Sequence, residues 1–192
     1  MNEIRKQLAR LLLEKSYKEG DFVLTSGRKS EYYFDCKQTA LHPEGAYLLA
    51  LCFLDLIQDL DAEVAGVGGM TLGADPLVSS VSVVSHIEAG KGGISPLPAF
   101  IIRKKSKGHG TNQYLEGMAN FESGAKVVLL EDVVTTGGTL ITSCERVKDA
   151  GLEVAGVICV LDREEGGREN LAQAGYELTS IFTRQELLNA GA

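Results

Sequence analysis

Residues 127–139 narrow the possible folds of this chain more than any other stretch. Val127, Val128, Leu129 and Leu130 form an uninterrupted apolar run, the pattern of a parallel strand covered on both faces. Such a strand belongs in an α/β sheet. Glu131 and Asp132 follow it, then Val133, Val134, Thr135, Thr136, Gly137, Gly138 and Thr139, with a helix expected from about Leu140. Ligands of open α/β sheets bind beyond the carboxyl ends of the strands. A loop of threonines and glycines that opens a helix offers backbone N–H groups and hydroxyls to a phosphate. Two carboxylates repel that same anion, so they serve another part of the ligand, either ribose hydroxyls or a metal. No Lys follows Gly138, which separates the loop from a P-loop. A plain strand-to-helix turn has a use for the glycines but none for paired acids followed by three threonines.

The rest of the chain extends the same architecture. The periodicity predicts a helix over residues 4–13, a strand near 22–24 and a second helix from His42-Pro43-Glu44 to about Leu60, with Pro and Glu in its first turn. Strands are expected at 64–67, 99–102, 127–130, 154–161 and 178–182, helices at 76–84 and 140–150, and a loop at 68–73. Strands alternating with helices imply a mostly parallel sheet, with the opening segment outside it. With 192 residues, 44% hydrophobic, and no Pro/Ser-rich linker, one domain with a sizeable core is expected. The formal charge of −7 argues against nonspecific nucleic-acid binding. The longest apolar run, near residues 47–57, is broken by Asp55 and too short to span a bilayer, so a soluble, cytoplasmic protein without a membrane partner is expected. Cys36, Cys52, Cys144 and Cys159 are widely spaced, which suits reduced packing residues rather than a zinc site or a disulfide framework.

One loop runs against the acidic composition. Arg103, Lys104, Lys105 and Lys107 precede His109, with Gly108 and Gly110 disfavouring regular structure. Taken alone, such a loop is as readily a solvated surface feature. Beside a phosphate-binding motif, mobile cations can close over an anionic leaving group and exclude water.

The acid pair followed by Thr135-Thr136-Gly137-Gly138-Thr139 resembles the phosphoribosyl pyrophosphate (PRPP) motif of type I phosphoribosyltransferases. The basic loop resembles the Arg-Lys-x-x-Lys-x-His-Gly pattern of the orotate phosphoribosyltransferase family, and all of those positions match. Residues 22–35 look like that family's amino-terminal hood, and Asp162-Arg163-Glu164-Glu165 resembles its Asp-Arg-x-Glu segment.

The resemblance implies an α/β fold of the type I phosphoribosyltransferase kind, a mostly parallel twisted sheet flanked by helices, with the hood in about residues 1–40 of a single domain spanning 1–192. It implies transfer of the phosphoribosyl group from PRPP to orotate, giving orotidine 5′-monophosphate and pyrophosphate. Glu131 and Asp132 would hold the ribose hydroxyls, and residues 133–139 the 5′-phosphate. Lys107 would reach the reaction centre, with Arg103, Lys104 and His109 on the pyrophosphate. Asp132 counts with Lys107 as catalytic. Thr135, Tyr33 and Phe34 would contact the base, and Arg163 its carboxylate, whose geometry matches a guanidinium fork. Mg²⁺ is the implied cofactor, held mainly by PRPP with Asp132 assisting. A homodimer sharing the basic loop between subunits is implied too. Residues 68–72 occupy the place of the family's pyrophosphate loop, where a cis or strained peptide near Met70-Thr71 is expected. Where many bacterial members carry charged residues, this chain has Thr25, Leu72 and Thr111. Two other readings stand beside this one: a purine or uracil phosphoribosyltransferase, and a noncatalytic sensor of PRPP or nucleotides.

Overall fold

The computed structural model describes residues 3–23, 29–92, 94–106 and 114–190. Within the basic loop, Lys107, His109 and Thr111 lie outside the described residues, as does Thr25 in the hood.

Helix α1 (Glu3–Lys15) leads into an antiparallel pair, β1 (Tyr17–Val23) and β2 (Lys29–Phe34). Strand β1 starts earlier than expected and contains Gly20, whose positive φ of +149°, rarely adopted by other residues, sits in an irregularity of the ladder between Glu19 and Phe22. After the short α2 (Lys37–Ala40) comes α3 (Pro43–Gln58), started by Pro43 and capped by His42, whose Nδ1 accepts from the Gly45 amide at 3.4 Å.

The main sheet contains β3 (Gly66–Met70), β4 (Ala99–Ile102), β5 (Leu115–Glu116), β6 (Lys126–Val134), β7 (Glu153–Asp162) and β8 (Leu178–Thr183). Their order is β5-β4-β3-β6-β7-β8, parallel throughout except for the short β5. Helix α4 (Asp75–Ala89) joins β3 to β4, α5 (Gly138–Asp149) joins β6 to β7, and α6 (Gly167–Gln173) joins β7 to β8. Burial on both faces explains why the strands read as continuous apolar runs. Val128 and Leu130 pack with α1, α3 and α4, while Val127 and Leu129 face the α5 and α6 side. Each face gains residues in alternation along the strand.

Two segments differ from expectation for reasons of packing. Gly68, Gly69 and Met70 belong to β3 rather than to a loop, and every residue of that strand is buried. The Phe100 ring lies against Gly68, where a Cβ would sit 2.1 Å from it. At Gly69 a Cβ would come within 2.4 Å of the Ala74 Cβ and 2.5 Å of the Leu130 carbonyl oxygen. The glycines therefore serve strand packing, and the loop begins at Thr71. The cis peptide lies between Thr71 and Leu72, one position beyond the expected one. At the other end of the chain, α7 (Arg184–Asn189) was not anticipated, although Thr183 and Glu186 form a reciprocal capping box there.

All four cysteines are buried and free, and burial raises each thiol, those of Cys52 and Cys144 to about 11. Among the described residues, no helix is long and apolar enough to cross a membrane.

Candidate active site

The sheet order creates the site. From β3 the chain steps outward to β4, and β6 then pairs on the opposite side of β3. Connections leaving the carboxyl ends of β3 and β6 diverge at this switch point and leave a crevice between them. Residues 71–74 form one wall and 135–139 the other.

Glu131 and Asp132 stand inside β6 rather than after it, because the strand runs on to Val134. Their side chains point to opposite faces, as period two requires. Glu131 is 6% exposed and its Oε2 has no hydrogen-bond partner among the described residues. Burial, and then the charge of Asp132, pushes its carboxyl well above the ordinary value of 4.5, while Lys104 pulls the other way. Asp132 is half-buried and accepts from the Val133 amide at 2.8 Å. The opposite wall makes room for it: a Cβ on Gly73 would sit 2.7 Å from its carboxylate carbon. Sequence reading placed Gly73 in the loop at 68–73 but gave it no part in the site.

A cavity of about 110 Å³ follows the acids, lined by Glu131 and residues 133–140. Gly137 turns the chain into α5 with φ +79°, a conformation that side chains other than glycine rarely adopt. Asn170 fixes the loop from α6, donating from Nδ2 to the Thr136 carbonyl at 2.9 Å. The Thr136, Gly138 and Thr139 positions are exposed, Thr135 half-buried, and Val134 buried beneath them. The arrangement offers N–H groups and hydroxyls at the amino end of a twelve-residue helix.

Arg163 follows the end of β7, next to that loop. Val134 and Asp162 are register partners, and the Arg163 amide donates to the Val134 carbonyl at 3.0 Å. The turn there is tight: Glu164 has φ +59°, and its amide donates to Asp162 Oδ1 at 2.9 Å. The Arg163 side chain is 6% exposed, with Nε 2.7 Å from Glu165 Oε1. Its guanidinium lies 4.4 Å from the centre of the Tyr32 ring, and Arg184 lies 4.6 Å from the same ring. Tyr32 thus links the hood to two cations of the sheet edge. Burial raises its phenol above the ordinary 10.0, against the lowering effect of both arginines.

The expected aromatic pair divides. Tyr33 is 43% exposed while Phe34 belongs to the core at 7%. Adjacent strand residues face opposite ways, so the two do not line one surface together, and sequence reading passed over Tyr32 between Arg163 and Arg184. Lys37 is paired with Asp35 at 2.6 Å, and that hydrogen bond holds its ammonium above the ordinary value, with Asp132 and Tyr33 adding to the rise.

The donor set also bears on Mg²⁺. Among the described residues no three His, Cys, Asp or Glu side chains cluster as a metal cage. One half-buried carboxylate at the crevice fits an ion that takes most of its oxygens from substrate and water.

Known proteins agree with this geometry. Residues 74–180 match the family model described as a phosphoribosyl transferase domain. The chain is 46% identical over 187 residues to an orotate phosphoribosyltransferase of Nostoc sp., covering 97% of this chain and 86% of that protein. An orotate phosphoribosyltransferase of Aquifex aeolicus is 42% identical over 187 residues, with 96% and 97% covered. The crystal structure of Mycobacterium tuberculosis H37Rv orotate phosphoribosyltransferase in complex with PRPP superposes with a TM-score of 0.75 at 32% identity, covering 96% of this chain and 98% of that one. An acid pair among the last residues of β6, a hydroxyl-rich loop into a helix and near-complete coverage by these relatives lead to one assignment: this chain belongs to the orotate phosphoribosyltransferase family.

Proposed function

We propose that the protein transfers the 5-phosphoribosyl group of PRPP to N1 of orotate, forming orotidine 5′-monophosphate and pyrophosphate in pyrimidine synthesis. The observation that carries this reading is the adjacency of two unlike half-sites: the acid pair with its phosphate cradle on β6, and a buried arginine at the end of β7. The first suits a ribose phosphate and the second a planar carboxylate.

In the reaction the bond from ribosyl C1 to pyrophosphate oxygen breaks and a bond to orotate N1 forms. No protein nucleophile is needed. Glu131 and Asp132 accept from the ribose hydroxyls, while N–H groups of residues 135–139 hold the 5′-phosphate. Arg163 grips the orotate carboxylate, Thr135 adds a hydroxyl, and Tyr33 offers a ring face over a core supported by Phe34. Arg103 and Lys104, with Lys107 and His109, neutralise the departing pyrophosphate. Holding both reactants in line and stabilising the departing charge together supply the rate in such a site. Asp132 would help hold Mg²⁺ brought in with PRPP, and the ion would supply further charge neutralisation.

A single domain working as a homodimer in the cytoplasm fits the remaining features. Val83 and Ile87 stand one turn apart on α4 at 61% and 49% exposure, an apolar strip suited to a second copy. Sharing the basic loop between subunits follows from the family.

A pH dependence follows from Glu131. Its carboxyl is neutral above the ordinary carboxylate range in the free protein, so it contributes stability at low pH that is lost as pH rises through its raised pKa. Ribose hydroxyls that donate to it favour the ionised form. PRPP binding is expected to release protons in that window and to tighten as pH rises. Calorimetry in buffers of different ionisation enthalpy measures the release, and a buffer-independent heat removes this role for Glu131.

The direct test mixes the purified protein with PRPP, Mg²⁺ and orotate and follows the loss of orotate absorbance, beside adenine, guanine, hypoxanthine and uracil. Turnover with orotate alone is expected. Turnover with another base instead discards the Arg163 assignment, and PRPP binding without turnover favours a sensor.

A further inference from the structure

Arg146 takes no part in the chemistry outlined above, yet it reaches across the molecule to the basic loop. It sits on α5, the helix that opens at the phosphate-binding turn. Its Nη1 donates to the Arg103 carbonyl at 2.7 Å and its Nη2 to the Lys104 carbonyl at 3.4 Å. The guanidinium also lies over the Tyr114 ring, 4.1 Å from its centre, and Nη1 is 3.6 Å from Met70 Sδ. Arg103 and Tyr114 are the two described feet of that loop. They are themselves tied, since the Arg103 amide donates to the Tyr114 carbonyl at 2.7 Å. Across the same stem, the Arg103 side chain pairs with Glu116 at 3.1 Å.

One planar cation therefore touches both feet, each through a different face or edge of the guanidinium. An ammonium cannot reproduce this, because it lacks the rigid fork and the flat surface that stacks on an aromatic ring. Carbonyl acceptors carry no sequence information, so the contacts fix where the backbone leaves the sheet. The other end of α5 holds the loop of residues 135–139 through the helix itself, with Ser143 Oγ donating to the Thr139 carbonyl at 2.9 Å.

We infer that Arg146 is a positioning residue for phosphoribosyl transfer: it fixes the stem from which the basic loop leaves the sheet, so that the loop's cations meet the pyrophosphate of PRPP in the site they serve. The inference rests on the reading of that loop as the pyrophosphate-binding element. Nothing in the role depends on the charge of Arg146 reaching substrate.

The test compares R146Q, R146K, R103A, K104A and the double variant K104A/R146Q in the full chain, with kcat and both KM values measured and thermal unfolding recorded for each. R146Q and R146K are both expected to lower kcat by on the order of tenfold to a hundredfold, the scale of a small misplacement of catalytic groups, with the orotate KM little changed. The double variant is expected to fall no further than about threefold below K104A, because both changes act through one loop. Full turnover in R146K reduces the role to charge and overturns the inference, as do fully multiplicative losses in the double variant. If R146Q does not fold, R146K carries the comparison. Unchanged kcat in both R103A and K104A overturns the reading of the loop, and this inference with it. Reduced kcat in those two with wild-type kcat in R146Q overturns the inference alone.

Discussion

Asp132→Asn is expected to weaken PRPP binding by roughly tenfold to 150-fold, the loss of about 1.5–3 kcal/mol that accompanies removal of a charged hydrogen-bond acceptor. Asparagine keeps the shape of the side chain, so the change isolates charge and acceptor capacity. Two features make this carboxylate a demanding acceptor. It is held by the Val133 amide, and the missing side chain at Gly73 leaves its far side open to a ligand. Gly73→Ala should therefore reproduce part of the loss without touching any polar atom, because a Cβ there meets the carboxylate at 2.7 Å. Burial keeps Glu131 protonated first and the Asp132 charge second, so removing that charge moves the ionisation of Glu131 part of the way to lower pH in the variant. Calorimetric titration of PRPP into both variants measures the effect, and wild-type affinity in Asp132→Asn would refute the ribose assignment.

Arg163→Ala should act on the other substrate. A guanidinium that grips a carboxylate with two parallel hydrogen bonds contributes at the upper end of charged hydrogen-bond energies, so the orotate KM is expected to rise on the order of a hundredfold. The PRPP KM should stay within about threefold, because the phosphate cradle is built on β6 and α5 and does not contain the Arg163 side chain. Arg163→Lys should recover little, since lysine brings charge without the planar fork. Steady-state kinetics with each substrate varied in turn separates the two effects. Equal rises in both constants would mean that Arg163 supports the site as a whole through Tyr32 and Glu165, and the carboxylate assignment would fall.

Legibility in the sequence followed the physics of each element. Residues 127–139 were readable because a doubly covered strand, paired acids and a threonine-glycine turn each have a distinct composition, and together they have few alternative uses. Strand 99–102 was bounded correctly because Pro98 and the basic loop flank it. Strand β3 was misplaced because its Gly68 and Gly69 carry no β signal of their own. What makes them strand residues is the Phe100 ring and Leu130 of the neighbouring strands, which only the assembled sheet supplies. The same holds for Tyr32, Arg184 and Arg146. Each is an ordinary residue in its own segment, and becomes meaningful through a partner far away in the chain. Helix α7 was different: its capping box was present in the sequence and lay in a stretch too short to show periodicity.

The stack of Arg163, Tyr32 and Arg184 ties together segments from the beginning, the late middle and the end of the chain. On the proposed assignment of Arg163 to the base, base preference is not set by one segment alone, since a new residue at position 163 loses its ring and loss of the ring at position 32 uncovers two stacked cations. The proposed phosphate cradle is built mainly on β6 and α5 and shares none of these three residues.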